Sequence, residues 1–383
     1  MVITSPVLPG DVVVVPATGN LVLQYGGSPG VPVVYVGRPD TAVTGFVAID
    51  VDDVVVTDLV VQAPEFADDC VLIGGDRVEL VRVRCTGSVG GITAADVTDL
   101  RVVRSEVSLT VRLVELTDVV GATFGCNRLV GATSDGVTLD SCEDVLFERN
   151  FIADQQGWGL RATDGRDLRL SGNVIRGQVG GAYGDDDSRG WQVVGNTITS
   201  EALQSPGLDL DGGSDHVLFG NVFASKSGVA LDLEEGGVSG YNLVAGRLAV
   251  PGSDPTSVVL EDSAWPLVGG GADLVSSYSL KPDSEGQELV PAAFQGLEVP
   301  QWDLLAARRP CGKRAEAGAL EACAGDTGST DPGEAPPPVA AEGADVWQLV
   351  GLEGGCAHAA GGSTFTLAVA LGSLRRRSTG RAT

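Results

Sequence analysis

The sequence predicts an all-β solenoid of stacked parallel coils, and three observations carry that prediction. Asparagine recurs at Asn127, Asn150, Asn173, Asn196, Asn221 and Asn242, with spacings of 23, 23, 23, 25 and 21 residues. Most follow a short apolar run: VLFERN, LRLSGN, WQVVGN, HVLFGN. Upstream of most of them a glycine opens a second alternating run: GVTLD at 136, GLRAT at 159, GLDLD at 207 and GVALD at 228, with GAYGD at 181 a weaker copy. A repeat of this length, with two or three short strands per unit, cannot bury its apolar side alone, and stacking successive units makes one continuous core.

The segments follow in order. Residues 1–45 read as N-terminal cap strands and 46–250 as the coils. Extending the register backwards places Ser105, Val83 and Leu59 at the Asn position, which gives about nine turns. Asparagine suits a repeated bend because it tolerates left-handed backbone and can bond its stacked copies through the side-chain amide. Residues 251–323 read as an irregular part closing the domain, 324–346 as a Pro/Gly/Ala-rich linker, and 347–383 as a sorting or anchor tail. The 54 glycines, 19 prolines and single methionine agree with many strands and tight turns.

The pattern G-(I/V/L)-x-(L/V)…V-x-(I/F)-x-x-N-x-(I/F) resembles the right-handed parallel β-helix repeat of the pectate-lyase-like superfamily. PGDVVVVP, GGSPGVPVVYVGRP and DDVVVTDLVV are similar to the first coil of its extracellular members, and RPCGKRAEAGALE to a closing segment. The resemblance spans roughly residues 9–321. It implies a right-handed β-helix and leaves the activity open, since this fold carries lyases, hydrolases, epimerases and plain surface proteins. In the tail, Gly355-Cys356, a short apolar stretch and Arg375–Arg377 resemble the C-terminal sorting signals of myxobacterial surface proteins. That implies an extracellular or cell-surface location, with membrane contact only through the tail. The segment MVITSPVLPGDVVVVP shows no leader peptide.

The formal charge of −26 and only three lysines exclude a nucleic-acid surface. Among seven cysteines there is no zinc-type spacing. Cys311 and Cys323 can bridge in an oxidising compartment, while Cys70, Cys85, Cys126 and Cys142 read as core or turn residues with room for one further bridge.

Alternation from each opening glycine turns Val137/Leu139, Leu160/Ala162, Ala182/Gly184, Leu208/Leu210 and Val229/Leu231 inward. It turns outward a column Asp140, Thr163, Asp185, Asp211, Asp232. Carboxylates about 4.8 Å apart repel by about 1 kcal/mol in water and about 3.5 kcal/mol at an effective dielectric of 20. Asp185, Asp211 and Asp232 are therefore candidate Ca²⁺ ligands, although nothing in the sequence requires a cofactor. The resemblance implies that an exterior sheet would carry any substrate. Trp158, Tyr183, Trp191 and Asp209 are the candidate substrate-binding residues, and Arg161 is the candidate base of a Ca²⁺-dependent elimination, ahead of Arg189 and Lys226. Asp135, in SDG, faintly resembles a polygalacturonase acid, but the histidine-bearing coil of that family is missing, and His216 reads as a turn residue. Two readings follow: a surface β-helix that binds polysaccharide or cell-envelope components, or serves as a structural surface module; and a Ca²⁺-dependent lyase or epimerase acting on uronate glycans.

Overall fold

Strands of two to seven residues account for nearly every element, and most alternate buried and half-buried side chains, as a one-sided core demands. The protein, seen as a computed structural model, is a right-handed parallel β-helix with no α-helix among its described residues. Described are residues 7–320, apart from 39–41, 65–68, 202–204, 211, 234–236, 250–255, 261–265, 268–277, 279, 282–283, 288, 302, 305–308 and 310–313. The proposed linker and tail, together with Cys311 and Cys323, lie outside the described residues.

Each coil contributes to three faces. The first is an 11-stranded parallel sheet that includes Glu143–Glu148, Arg169–Ser171 and Gln192–Val194. The second follows the asparagine and includes Phe151–Gln155, Val174–Gly177 and Thr197–Ser200. The third includes Val137–Asp140, Trp158–Thr163, Gly180–Gly184 and Leu208–Leu210. Val222–Leu233 runs unbroken from the second face into the third. The inward positions on the third face are buried: Val137, Leu139, Leu160, Ala162, Ala182, Leu208, Leu210 and Leu231. Val229 is only half-buried. Aromatic residues stack between coils in the core, with Phe124 and Phe147 4.9 Å apart at 12°.

The asparagines form a continuous buried ladder. Each side-chain amide donates to the next Oδ1, at 2.9 Å (127 to 150), 3.0 Å (150 to 173), 2.9 Å (173 to 196), 3.1 Å (196 to 221) and 3.0 Å (221 to 242). The same Oδ1 atoms also accept the backbone N–H of the preceding rung. Serines terminate it: the Ser105 Oγ accepts from Val83 N, and the Ser257 Oγ accepts from Asn242 N. One expectation needs correcting. The left-handed residue is the one before each rung (Asp58, Arg82, Arg104, Cys126, Arg149, Gly172, Gly195, Gly220, Tyr241), not the asparagine itself. The bend is made one residue early, so the asparagine side chain points into the turn, where its amide can meet its neighbours.

The outward row of the second face changes character along the axis. Arg84, Glu106 and Arg128 alternate in charge and are ion-paired, Arg84–Glu106 at 3.1 Å and Arg128–Glu106 at 3.3 Å. From Phe151 the same row reads Val174, Thr197, Val222, Leu243. There the C-terminal part packs across it, burying Leu267, Tyr278, Leu280, Val290, Leu304 and Ala315–Leu320 against this surface. Ala319 N donates to Thr197 Oγ1 at 3.0 Å, and Arg176 donates to the Tyr278 hydroxyl at 2.9 Å while pairing with Glu201.

Cys70 and Cys85 form a disulfide between adjacent coils, Cys126 is disulfide-bonded as well, and Cys142 is the free cysteine among the described residues. His216 is a core residue, in register with Trp191 through the neighbouring pair Gln192 and Val217. Its Nδ1 accepts the Trp191 N–H at 3.3 Å, which leaves Nε2 as the protonated nitrogen, donating to the Gly212 carbonyl at 3.3 Å. Burial pushes its pKa below the ordinary value of 6.5. The native state therefore resists a proton that the unfolded chain accepts, so the stability gained is complete above pH 6.5 and is lost as pH falls through the lowered native value. The unfolding free energy is expected to decline as pH drops below 6.5, with a slope of at most about 1.4 kcal/mol per pH unit from this one group. His216→Asn should flatten that slope, and an unchanged slope in the variant would show that other groups set it.

Candidate functional site

The third face exposes its outward rows beside a tight corner with the second face. The glycines that open each run stack at this corner. A Cβ on Gly159 would lie 2.7 Å from the Gly181 carbonyl oxygen and 2.7 Å from Ile175 Cγ2, and one on Gly136 would lie 2.6 Å from the Gly159 oxygen. Close approach of the two strands is what requires glycine here.

Just outside the corner, the residue before each opening glycine points outward. Trp158 occupies that position, and Gly180 is its partner in the next coil. The indole lies across Gly180, where any Cβ would collide with the ring. Two residues past the opening glycine runs a second outward row: Thr93, Glu115, Thr138, Arg161, Tyr183, Asp209, Asp232. Trp158 and Tyr183 meet across the two rows at 5.2 Å and 41°, both half-buried. Arg161 lies 5.9 Å from the Tyr183 ring centre, and its exposed guanidinium is 3.9 Å from Asp135. The other Asp135 oxygen accepts the Trp158 N–H at 2.8 Å. One carboxylate thus fixes the backbone that carries the tryptophan and holds the arginine beside it. Asp209 and Asp232 continue the row beyond Tyr183 and are half-exposed.

Sequence reasoning thus placed Trp158, Arg161, Tyr183 and Asp209 on one surface, and the structure brings these four together. It separates the rest. Trp191 is fully buried in the first-face core, packed beside Gly184, so no sugar can reach its ring. Asp232 lies opposite Asp209, not in the column of Asp185, because Leu231 pairs with Leu208. Ala230 therefore occupies the position assigned to Gly228, a shift of two residues. Asp185 turns into the corner leading to the first face, where Oδ1 accepts from Asp164 N at 3.0 Å and from the Ser188 hydroxyl at 2.9 Å. Asp211 lies outside the described residues. The expected column of calcium ligands is replaced by a row and a corner cap, and among the described residues no three metal-ligating side chains converge. Arg189 stands on the corner leading to the first face, in the column Glu143, Arg166, Arg189, Ser214. Lys226 pairs with Glu201 at 3.6 Å. Gly180 and the anchoring role of Asp135 were missed. The doubled glycine at 180–181, only one of which the repeat requires, was the available signal.

The periplasmic copper-binding protein family (NosD) matches residues 72–243 of this chain. The described residues do not fit copper: both ring nitrogens of His216 are engaged by backbone groups, and Cys142 is buried. No curated protein matches the chain. Among solved structures, the chain is similar to pectate lyase Pel9A, at 12% identity and a TM-score of 0.51, over 82% of this chain and 88% of that one. It is similar also to XylC in complex with xylose, at 10% identity and a TM-score of 0.53, over 76% of this chain and 64% of that one. At these identities the shared property is the fold, a right-handed parallel β-helix.

Proposed function

We propose that the protein binds polysaccharide on the third face of its β-helix, as an exported protein of the cell surface or envelope. The observation that carries this reading is the Trp158–Tyr183 pair, held half-exposed on a rigid sheet and flanked by Arg161, Asp135 and Asp209. Aromatic faces take the C–H faces of sugar rings, and the adjoining polar groups take the hydroxyls. Strands position such groups more firmly than loops do. A pectate lyase and a xylose complex share the fold, in keeping with a carbohydrate role. Disulfides at Cys70–Cys85 and Cys126 support folding in an oxidising compartment, and the resemblance of the tail to a sorting signal points the same way.

Affinity electrophoresis against a panel of neutral and acidic polysaccharides tests the reading. At least one polymer should retard the protein, and Trp158→Ala should weaken that retention by about tenfold or more, equivalent to about 1.4 kcal/mol. Gly180→Leu should do the same by displacing the indole while leaving the tryptophan in place. Retention of no polymer would overturn the proposal. Release of unsaturated product from a polyuronate, with or without Ca²⁺, would replace simple binding by elimination, with Arg161 as the base.

A further inference from the structure

We infer that the polysaccharide taken by this face is a neutral one and that polyuronates are rejected; this rests on the glycan-binding reading above. The aromatic pair sits among fixed negative charge. Asp135, Asp140, Asp209 and Asp232 all lie on the outward rows of the third face around Trp158 and Tyr183. Of the three arginines on these rows, Arg161 is engaged with Asp135 at 3.9 Å and Arg112 with Glu115, while Arg247 stands opposite Val229, three coils beyond Gly180. A uronate chain laid on the platform would add a carboxylate at each sugar to this surface, on a protein of net charge −26. No convergent group of metal-ligating side chains among the described residues offers a cation to bridge them. Neutral sugars meet the opposite situation, because carboxylates accept hydrogen bonds from hydroxyls and are strong acceptors.

The corner beside the tryptophan supports the same choice. Val89, Val111, Ser134, Gly157 and Val179 follow one another along it, joined by backbone hydrogen bonds from each residue to the one a coil earlier. Val89, Val111 and Val179 are 36%, 37% and 44% exposed. The platform is therefore bordered on one side by Gly157 and the exposed Val179, with Val111 and Val89 farther along the same edge, and on the other by carboxylates. A chain with C–H faces and hydroxyls, and no charge, fits that pairing.

The test compares β-glucan, xylan and mannan with polygalacturonate and alginate, using the full chain in the presence of a chelator at low and high salt. The best neutral polymer should be retained at least about tenfold more strongly than either polyuronate at low salt, and its retention should change little with salt. Asp209→Asn with Asp232→Asn should raise polyuronate retention, and circular dichroism would confirm that this variant is folded. Retention of a polyuronate equal to or stronger than that of every neutral polymer would overturn neutral selectivity while leaving glycan binding intact. Retention of none of the five would overturn both.

Discussion

Asn173→Ala is expected to lower the unfolding free energy by about 4 kcal/mol, since each buried polar group left unpaired costs about 1–3 kcal/mol. The asparagine is fully buried in the middle of the ladder. Its Oδ1 accepts from Asn150 N at 2.8 Å and Asn150 Nδ2 at 3.0 Å. Its Nδ2 donates to the Phe147 carbonyl at 2.8 Å and to Asn196 Oδ1 at 2.9 Å. Truncation leaves the Asn150 N–H without that acceptor and the Phe147 carbonyl without that donor. Asn196 Oδ1 keeps the backbone N–H of residue 173, and Asn150 Nδ2 keeps the Phe124 carbonyl, so the loss stays below the sum of four bonds. Chemical denaturation followed by circular dichroism gives the measurement. A change below about 1 kcal/mol, within the ordinary range for a point substitution, would mean that water satisfies the rung.

Gly159→Ala should cost about 3 kcal/mol, the upper end of what overpacking a tight site usually costs. The added methyl would meet the Gly181 oxygen, Ile175 Cγ2 and the Arg176 carbonyl carbon, the last at 3.2 Å. Two of these are backbone in the neighbouring strands and the third is a buried branched side chain, so none can yield without disturbing the coil. Gly19→Ala is the control. No atom lies within 4 Å of its Cβ position, and the substitution should stay within about 0.5 kcal/mol. Equal effects from the two variants would show that the corner does not set the cost.

The fold was legible because its two signals are chemical necessities of the coil. The asparagine recurs to keep the ladder paired, and glycine recurs from Gly136 through Gly159 and Gly181 to Gly207 where the second and third faces touch. The inward alternation on the third face followed from those landmarks. What failed was counting across a coil lacking the usual break. In Val222–Leu233 the strand continues through the corner, so Gly228 lies two residues before the true corner position, and Asp232 moves into the row of Asp209. Ala230 is accommodated there because the last coil shifts register and Gly246 adopts φ 129° beside it. Trp191 was misplaced for a different reason. Alternation was applied only to the third face, although the first-face register sets this residue beside His216 in the core. The left-handed positions before the nine rungs carry Asp, Arg, Cys, Gly and Tyr, and glycine fills only three of them, so composition did not mark them.

The change in the second-face row at Phe151 divides the molecule by how its length can change. Coils carrying Arg84 and Glu106 contact their neighbours alone in this row, so a coil duplicated there costs no contact elsewhere, whereas the coil of Arg128 is also held through Val130 and the Cys126 disulfide. Duplicating just one charged coil sets like against like in the row, whereas duplicating an Arg/Glu pair preserves the alternation. Coils from Phe151 to Leu243 are also held from outside by the C-terminal part, which spans a fixed number of them. Growth by whole-coil duplication is thus open to the N-terminal half, in steps of two, and closed to the half that carries Trp158 and Tyr183.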